Sequence, residues 1–213
     1  MGTINEIIYR HCVPTDFEDF LLQMFQNTFQ LLQMLVQPIN TVQGTPPTAG
    51  VITYQLQTLD ESYVDKFTEF MHSFVQSHLR RFENSIQFPI HDFLALLYKY
   101  TFGQPRSDGY MACLDIWCTF VDFVSGTLAS TRSVEDCAAV LARYRDAFTA
   151  LVVEVLKKLQ FRCNSSALEE MDDESIDDDE ETEWQHYLRA SIETVLRISD
   201  VLPEEVLRIV VSL

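Results

Sequence analysis

Residues 108–125 are apolar on nearly every side of the helix that their spacing predicts. Only Asp108, Asp115, Thr119 and Asp122 interrupt the apolar surface, and they form one narrow stripe. A helix that is apolar all round has to be covered on several sides, so it belongs in the interior of a stack of helices. The side chains that we expect at its buried centre are Leu114, Trp117 and Val121.

Five other segments carry apolar residues at steps of three and four, which is the spacing of one helix face. They cover residues 16–36, 60–84, 90–102, 134–162 and 183–202, and an incomplete helix follows Pro203. Thr15, Ser133 and Thr182 each precede an acidic residue or glutamine by three positions, as in a helix capping box. Phe148 and Trp184 are predicted core residues of their helices. Since no segment alternates as a strand does, we predict an all-α fold.

The predicted helices fall into pairs, 16–36 with 60–84, 90–102 with 108–125, and 134–162 with 183–202. The unequal loops argue against an up-down bundle, whereas pairs recurring every ~40 to 47 residues are typical of HEAT-like repeats. We therefore predict that residues 1–213 form a HEAT-repeat segment of an α-solenoid, with a loop at 37–59 and a disordered acidic loop at 163–182. An irregular helical domain is the alternative. Because the last helix is still apolar at its final residue, we also expect a fragment of a longer protein.

The most charged part of the chain is the acidic segment, residues 169–183, in which eleven of fifteen positions are Asp or Glu and none is Lys or Arg. A calcium loop of the EF-hand type is excluded, because Thr182 and Leu188 stand where the motif needs Gly and Glu. Two interpretations stay open, a solvated linker and a surface that attracts a basic partner. Under the second, the predicted partner-binding residues are Asp172, Asp173, Glu174, Asp177, Asp178 and Asp179.

Composition argues against several classes of protein. With 15 Lys and Arg against 32 Asp and Glu, there is no visible basic patch for phosphate contacts, so nucleic-acid binding is not expected. The five cysteines form no CxxC pair and indicate reduced thiols in a cytosolic or nuclear protein. The first residues do not resemble a signal peptide, and no apolar run is long enough and free enough of charge to predict membrane insertion.

We predict no catalytic, cofactor or metal site. The six glycines form no phosphate-binding loop, and the five histidines form no HExxH motif. Cys113 and Cys118 lie in the apolar helix and are better interpreted as core thiols. Exposed carboxylates in the acidic segment lack the burial that raises a carboxyl pKa for acid–base catalysis. The chain is therefore not expected to be an enzyme.

Four stretches of sequence resemble a known family. They read FPIHDFLALLYKYTFGQP from Phe88, DGYMACLDIWCTFVDF from Asp108, RYRDAFTALVVEVLKKLQFR from Arg143, and LEEMDDESIDDDEETEWQHYLRASIE from Leu168. These stretches are similar to the nuclear export receptors of the importin-β superfamily. The resemblance is close over residues 88–203 and looser over the first third of the chain.

The resemblance implies a right-handed superhelix of HEAT repeats that exports the actin–profilin complex in a Ran-GTP-dependent manner. It implies Ran-GTP, actin–profilin and nucleoporins as partners, no cofactor, and a location in both nucleus and cytoplasm. Usage elsewhere in the superfamily adds the hypothesis that the acidic segment faces the basic surface of Ran. The alternative function is a helical-repeat scaffold or adaptor that binds basic protein surfaces without nucleotide dependence.

Overall fold

The computed structural model describes residues 15–38, 54–171 and 182–212, which are helical almost throughout. The α-helices are α1 (Glu18–Leu35), α2 (Glu61–Phe82), α3 (Ile90–Phe102), α4 (Ser107–Ser130), α5 (Val134–Leu159), α6 (Phe161–Glu170), α7 (Glu183–Val201) and α8 (Pro203–Ser212). Short 3-10 helices cover Thr15–Phe17 and Gln55–Thr58. Extended pairing in the described residues is limited to one antiparallel bridge between Pro38 and Tyr54. The all-α prediction is confirmed.

The chain divides into two compact units, Met1–Cys113 and Leu114–Leu213. In the first unit the core is a cluster of phenylalanine rings around Phe25 of α1. The Phe25 ring centroid lies 4.6 Å from Phe74 of α2, 4.2 Å from Phe88 and 5.6 Å from Phe93 of α3. Aromatic rings at these separations bury large areas and add a favourable pairwise interaction. The cluster therefore joins α1, α2 and α3 through one ring.

A buried polar contact also connects α2 to α3 in the first unit. Thr68 Oγ1 donates to the carbonyl oxygen of Val64 at 2.9 Å, and the Tyr100 hydroxyl lies 2.8 Å from Thr68 Oγ1. Because the threonine proton is already used, the tyrosine hydroxyl is the donor in the second contact. Burial raises the pKa of Tyr100 far above its ordinary value, so the ring hydroxyl keeps this proton.

In the second unit the core is formed by α4, α5 and α7. Phe120 of α4 lies edge-on to Tyr144 of α5 at 5.2 Å and is 5.7 Å from Phe148. α7 packs against α5 and against α8. The buried face of α7 differs from that of α5 because it includes two small polar side chains, Ser191 and Thr194. Its buried residues are Tyr187, Ser191, Thr194, Ile198 and Val201.

Four of the five predicted core residues, Leu114, Trp117, Val121 and Phe148, are at most 1% exposed. The prediction that Trp184 is a core residue is wrong, because its side chain is only half-buried. It lies in the first turn of α7, where its ring stacks on Tyr187 at 6.2 Å and the ring of Tyr187 takes the buried position. Ile192, farther along α7, is 43% exposed.

Several helix ends differ from the predicted ones. The Thr15 capping box does not form, because residues 15–17 take up a 3-10 turn and α1 has no side-chain cap. α4 continues beyond the predicted end at 125 to Ser130 and includes Gly126. α5 ends at Leu159, and residues 161–170 form α6, so the start of the predicted loop at 163–182 is helical. Of the predicted loop at 37–59, residues 39–53 lie outside the described part, and Gln55–Thr58 is a 3-10 helix.

The predicted helix pairs are in contact within each unit. Phe25 and Phe74 join the first pair, and the rings of Phe102 and Tyr110 join α3 to α4 at 6.0 Å. α5 packs on α7 as predicted. By length and composition alone, α4 is able to cross a membrane, contrary to the expectation from its charges. A core helix passes the same test, and Trp117 and Phe120 of α4 are fully buried in the protein.

Candidate interaction segment

The six predicted partner-binding residues, Asp172, Asp173, Glu174, Asp177, Asp178 and Asp179, lie outside the described residues. The structure instead describes both ends of the acidic segment. α6 ends at Glu170, and α7 begins at Glu183 with Thr182 as its N-cap. Since α6 and α7 both pack on α5, the two ends are anchored on the same helix.

A sharp break separates α5 from the helix that leads into the acidic segment. Gln160 is extended, with φ −83° and ψ 120°, and its carbonyl oxygen accepts from the backbone amides of Cys163 and Asn164 at 2.9 and 3.1 Å. Asn164 is itself non-helical, at φ −144° and ψ 34°, and its side-chain amide donates to the carbonyl oxygen of Lys158 at 2.9 Å. The carbonyl oxygens of Lys158 and Gln160, at the end of α5, thereby gain hydrogen-bond donors. These bonds stabilise the break between α5 and α6.

A capping box holds the other end. Thr182 Oγ1 accepts from the backbone amide of Gln185 at 3.2 Å, and the Gln185 side chain accepts from the amide of Thr182 at 3.0 Å. The predicted box at Thr182 is therefore confirmed, and such caps typically contribute about 1 kcal/mol to helix stability. The partial positive charge at the start of α7 also favours the negative charge that precedes it.

Two arginines of the second unit have carboxylate partners on its helices. Arg197 of α7 donates two hydrogen bonds to Asp122 of α4, at 2.6 and 2.8 Å, and also binds Glu193. Arg145 of α5 lies 3.2 Å from Glu205 of α8. Both arginines are therefore paired with carboxylates of the described helices. Its charge remains suited to attracting a basic surface of a partner.

The described residues offer little for catalysis. Burial raises the pKa of the Cys118 thiol, whose sulfur lies 3.5 Å from Thr194 Oγ1. A thiol with a raised pKa is a poor nucleophile, because the thiolate is the reactive form. Within the described ranges, no group of three or more His, Cys, Asp or Glu side chains is placed to hold a metal ion.

One surface was not singled out by the sequence. On α8, Leu207, Val210 and Val211 are 65%, 50% and 78% exposed, while Val206 is buried. We name these three exposed side chains the outer face of α8. The signal was present in the run of five apolar residues among positions 206–211, because that density leaves apolar side chains on two sides of a helix.

Comparison with known proteins finds relatives along almost the whole chain. It is 52% identical over 205 residues to exportin-6 of Danio rerio, a match that spans 96% of this chain and 18% of that relative. It is 48% identical over 203 residues to exportin-6 of Homo sapiens, spanning 95% of this chain and 17% of the relative. It is 32% identical over 206 residues to exportin-6 of Dictyostelium discoideum, again over 95% of this chain and 18% of the relative.

These matches include the first third of the chain, where the resemblance of individual stretches was looser. The chain spans less than a fifth of the length of each of these three relatives, as expected for a fragment of a longer protein. No family model matches the chain. No solved structure matches it either.

Proposed function

Because this chain is homologous to one segment of the exportin-6 proteins, we propose that it acts as part of a nuclear export receptor. The observation that carries this proposal is 48–52% identity, over 95–96% of the chain, to the relatives from Homo sapiens and Danio rerio. The helical pairs of the two units agree with a HEAT-like solenoid, in which repeats build a long surface for binding proteins. A receptor of this kind works in both nucleus and cytoplasm and is not an enzyme.

The proposed cargo is actin in complex with profilin, bound when Ran is in its GTP form, with nucleoporins as partners during passage. Support for these partners comes from the resemblance of the four quoted stretches to nuclear export receptors. The whole receptor is the binding unit, since this chain spans only 17–18% of the relatives that it matches.

The acidic segment is the proposed contact within this chain for a basic surface of Ran or of the cargo. It carries eleven acidic residues among fifteen, and its ends are anchored by α6 and by the capping box at Thr182. An attraction of this kind raises the rate of encounter and weakens as salt screens it, with a Debye length of ~8 Å at physiological ionic strength.

The first experiment tests the receptor function. Full-length receptor is incubated with Ran loaded with a non-hydrolysable GTP analogue or with GDP, with and without actin–profilin, and the dissociation constants are measured. We expect the GTP form to bind at least about tenfold more tightly, a difference of about 1.4 kcal/mol, and cargo to tighten it further. In cells, loss of the intact receptor is expected to cause actin to accumulate in the nucleus.

The second experiment tests the acidic segment. The six residues Asp172, Asp173, Glu174, Asp177, Asp178 and Asp179 are changed to Asn or Gln in the full-length receptor. Affinity for Ran-GTP or cargo should fall by about tenfold at low salt, and the difference should shrink as salt approaches ~1 M. Unchanged affinity at low salt would remove the segment from the binding surface.

A matched control separates local charge from total charge. It neutralises six exposed acidic residues on described helices: Glu18, Asp19, Asp92, Glu135, Asp146 and Asp200. Both variants change the net charge by the same amount. The control should bind Ran-GTP and cargo as the unaltered receptor does; an equal loss in both variants would mean that total charge alone attracts the partner.

The second candidate function is a scaffold or adaptor for basic proteins, and the acidic segment is the observation that favours it. A scaffold has no reason to distinguish the two nucleotide forms of Ran. Equal affinity for both forms, together with salt-sensitive binding of basic proteins through the acidic segment, would favour this candidate over the export receptor.

A further inference from the structure

We propose that residues 160–164 form a two-state joint, at which α5 and α6 can merge into one continuous helix. The bent state is the one in the structure, where α5 ends at Leu159 and α6 begins at Phe161. In the straight state a single helix covers residues 134–170. The joint is inferred from the described backbone, and its consequence for the acidic segment rests on the proposed function, in which that segment meets a basic partner.

The local sequence across the break favours a continuous helix. Residues 156–170 read LKKLQFRCNSSALEE and contain neither Gly nor Pro. Most positions of this stretch hold Leu, Lys, Gln, Arg, Ala or Glu, which are strong helix formers. The break is therefore not imposed by local sequence, and specific contacts have to hold it.

A few hydrogen bonds hold the bent state. The Asn164 side-chain amide donates to the carbonyl oxygen of Lys158 at 2.9 Å. The carbonyl oxygen of Gln160 accepts from the amides of Cys163 and Asn164, and its side-chain oxygen accepts from Arg162 at 3.2 Å. Each of these bonds contributes only modest net stability, because water satisfies the same groups when the bond breaks. Loss of the Asn164 bond should therefore be enough to shift the joint.

The described side chains of α6 add no deep apolar packing to these bonds. Arg162, Cys163, Ser165 and Glu169 are exposed, while Asn164 and Leu168 are half-buried. α5 by contrast buries five side chains, two of them aromatic. Straightening removes no fully buried contact of the described α6 side chains, and it restores the regular bond from each amide to the carbonyl four residues earlier. The two states are therefore close enough in free energy to exchange.

The joint changes where the acidic segment starts. α6 has ten residues and is about 15 Å long. In the bent state it packs on α5, whereas in the straight state it points beyond the end of α5. Residues 171–181 can reach up to about 36 Å, so the chain permits this movement while Thr182 stays in its capping box. The joint therefore sets the position from which the acidic segment meets its partner.

Distances between two spin labels in the full-length receptor, with no Ran and no cargo present, test the proposal. The labels replace Ala150 of α5 and Glu169 of α6, which are both exposed, and they enter as unnatural amino acids so that the cysteines keep their thiols. A continuous helix separates the two positions by about 28 Å, and the bent state brings them closer. Asn164→Ala removes the bond to Lys158 and should raise the population at the longer distance by about threefold or more.

Two further variants separate the role of the bond from general helix propensity. Phe161→Pro places proline at the first position of α6, where the bent state accepts it and a continuous helix does not, so the longer distance should disappear. Gln160 is already extended, as the residue before a proline must be. The matched control is Ser165→Ala, which raises helix propensity about as much as Asn164→Ala but keeps the Asn164 bond. It should change the distances little.

Two results would overturn the proposal. One is the absence of the longer distance in the Asn164→Ala receptor, which would mean that α5 and α6 do not merge. The other is an equal rise of that distance after Asn164→Ala and Ser165→Ala, which would mean that the bond to Lys158 does not hold the bent state. Because no partner is present in these measurements, the joint can fail while Ran-dependent binding succeeds, and the reverse.

Discussion

Helices α2 and α7 are of similar length but are held in their units by different means. α2 buries eleven of its 22 residues, including four phenylalanines, whereas α7 buries five of its 19, and those include Ser191 and Thr194. A fully buried large apolar side chain contributes about 1.5 to 3 kcal/mol, so the buried face of α2 is worth far more than that of α7. The acidic segment ends at the start of α7. The position of α7 depends on close packing of its small side chains against neighbouring helices, on a capping box and on ion pairs.

The largest expected effect tests the α2 half of this comparison. Phe74 is 1% exposed and contacts the rings of Phe25 and Phe88 at 4.6 and 5.9 Å. Phe74→Ala removes the ring from a tightly packed cluster, and the free energy of unfolding should fall by about 3 to 5 kcal/mol. Urea denaturation followed by circular dichroism measures the change.

The control for this change has the same chemistry at an exposed place. Phe20 of α1 is 68% exposed, so Phe20→Ala should alter the free energy of unfolding by less than about 0.5 kcal/mol. Similar losses in the two variants would mean that the phenylalanine cluster does not dominate the first unit.

The next largest effect tests whether the position of α7 depends on close packing around the small side chain of Ser191. Ser191 is 0% exposed, and its hydroxyl has no hydrogen-bond partner among the described residues. Ser191→Leu inserts a side chain for which there is no space, and the expected loss is about 1 to 3 kcal/mol. Ser191→Ala removes only an unpaired buried hydroxyl and should be neutral or stabilising. If leucine is tolerated as well as alanine, α7 is not closely packed.

A smaller effect concerns the hydrogen bond between Thr68 of α2 and Tyr100 of α3. Tyr100→Phe removes the hydrogen bond to Thr68, while Thr68 keeps its bond to the carbonyl of Val64. Because Thr68 keeps a hydrogen-bond partner, the expected loss is only about 1 kcal/mol. A double-mutant cycle with Thr68→Val isolates the interaction. A coupling energy above about 3 kcal/mol would show that a polar bond, rather than phenylalanine packing, holds α2 to α3.

The sequence predicted the features that depend on local spacing. Apolar periodicity located the helices, and the capping box at Thr182 formed because both of its members lie within one turn. The sequence did not predict that Tyr187 is buried while Trp184 is only half-buried, because tertiary packing decides which ring of α7 faces the core. The break at Gln160 was also missed, because it depends on the side-chain bond from Asn164 to Lys158 and on no Pro or Gly signal.

The acidic segment could be located from the sequence, whereas the outer face of α8 could not. Charge density alone identified the acidic segment, and α8 was recognised only as an apolar helix. Separating the inner and outer faces of α8 required knowing that Val206 and Glu205 turn toward α5 and α7. Composition therefore located the charged feature, whereas the apolar surface needed three-dimensional packing.

The smallest expected effect tests the ion pairs that connect α7 to α4. Arg197 donates two hydrogen bonds to Asp122, yet the two side chains are 37% and 60% exposed. Hydrogen bonding to Glu193 and Asp122 raises the pKa of Arg197 above its ordinary value, so the guanidinium stays positively charged. Exposed pairs of this kind typically contribute about 0.2 to 1 kcal/mol, because water and salt screen them. A double-mutant cycle of Arg197→Gln and Asp122→Asn should give a coupling energy in that range at low salt and close to zero at ~1 M salt, where the Debye length is ~3 Å. A coupling energy above about 2 kcal/mol that persists at high salt would mean that charge, and not close approach at Ser191, determines where α7 lies.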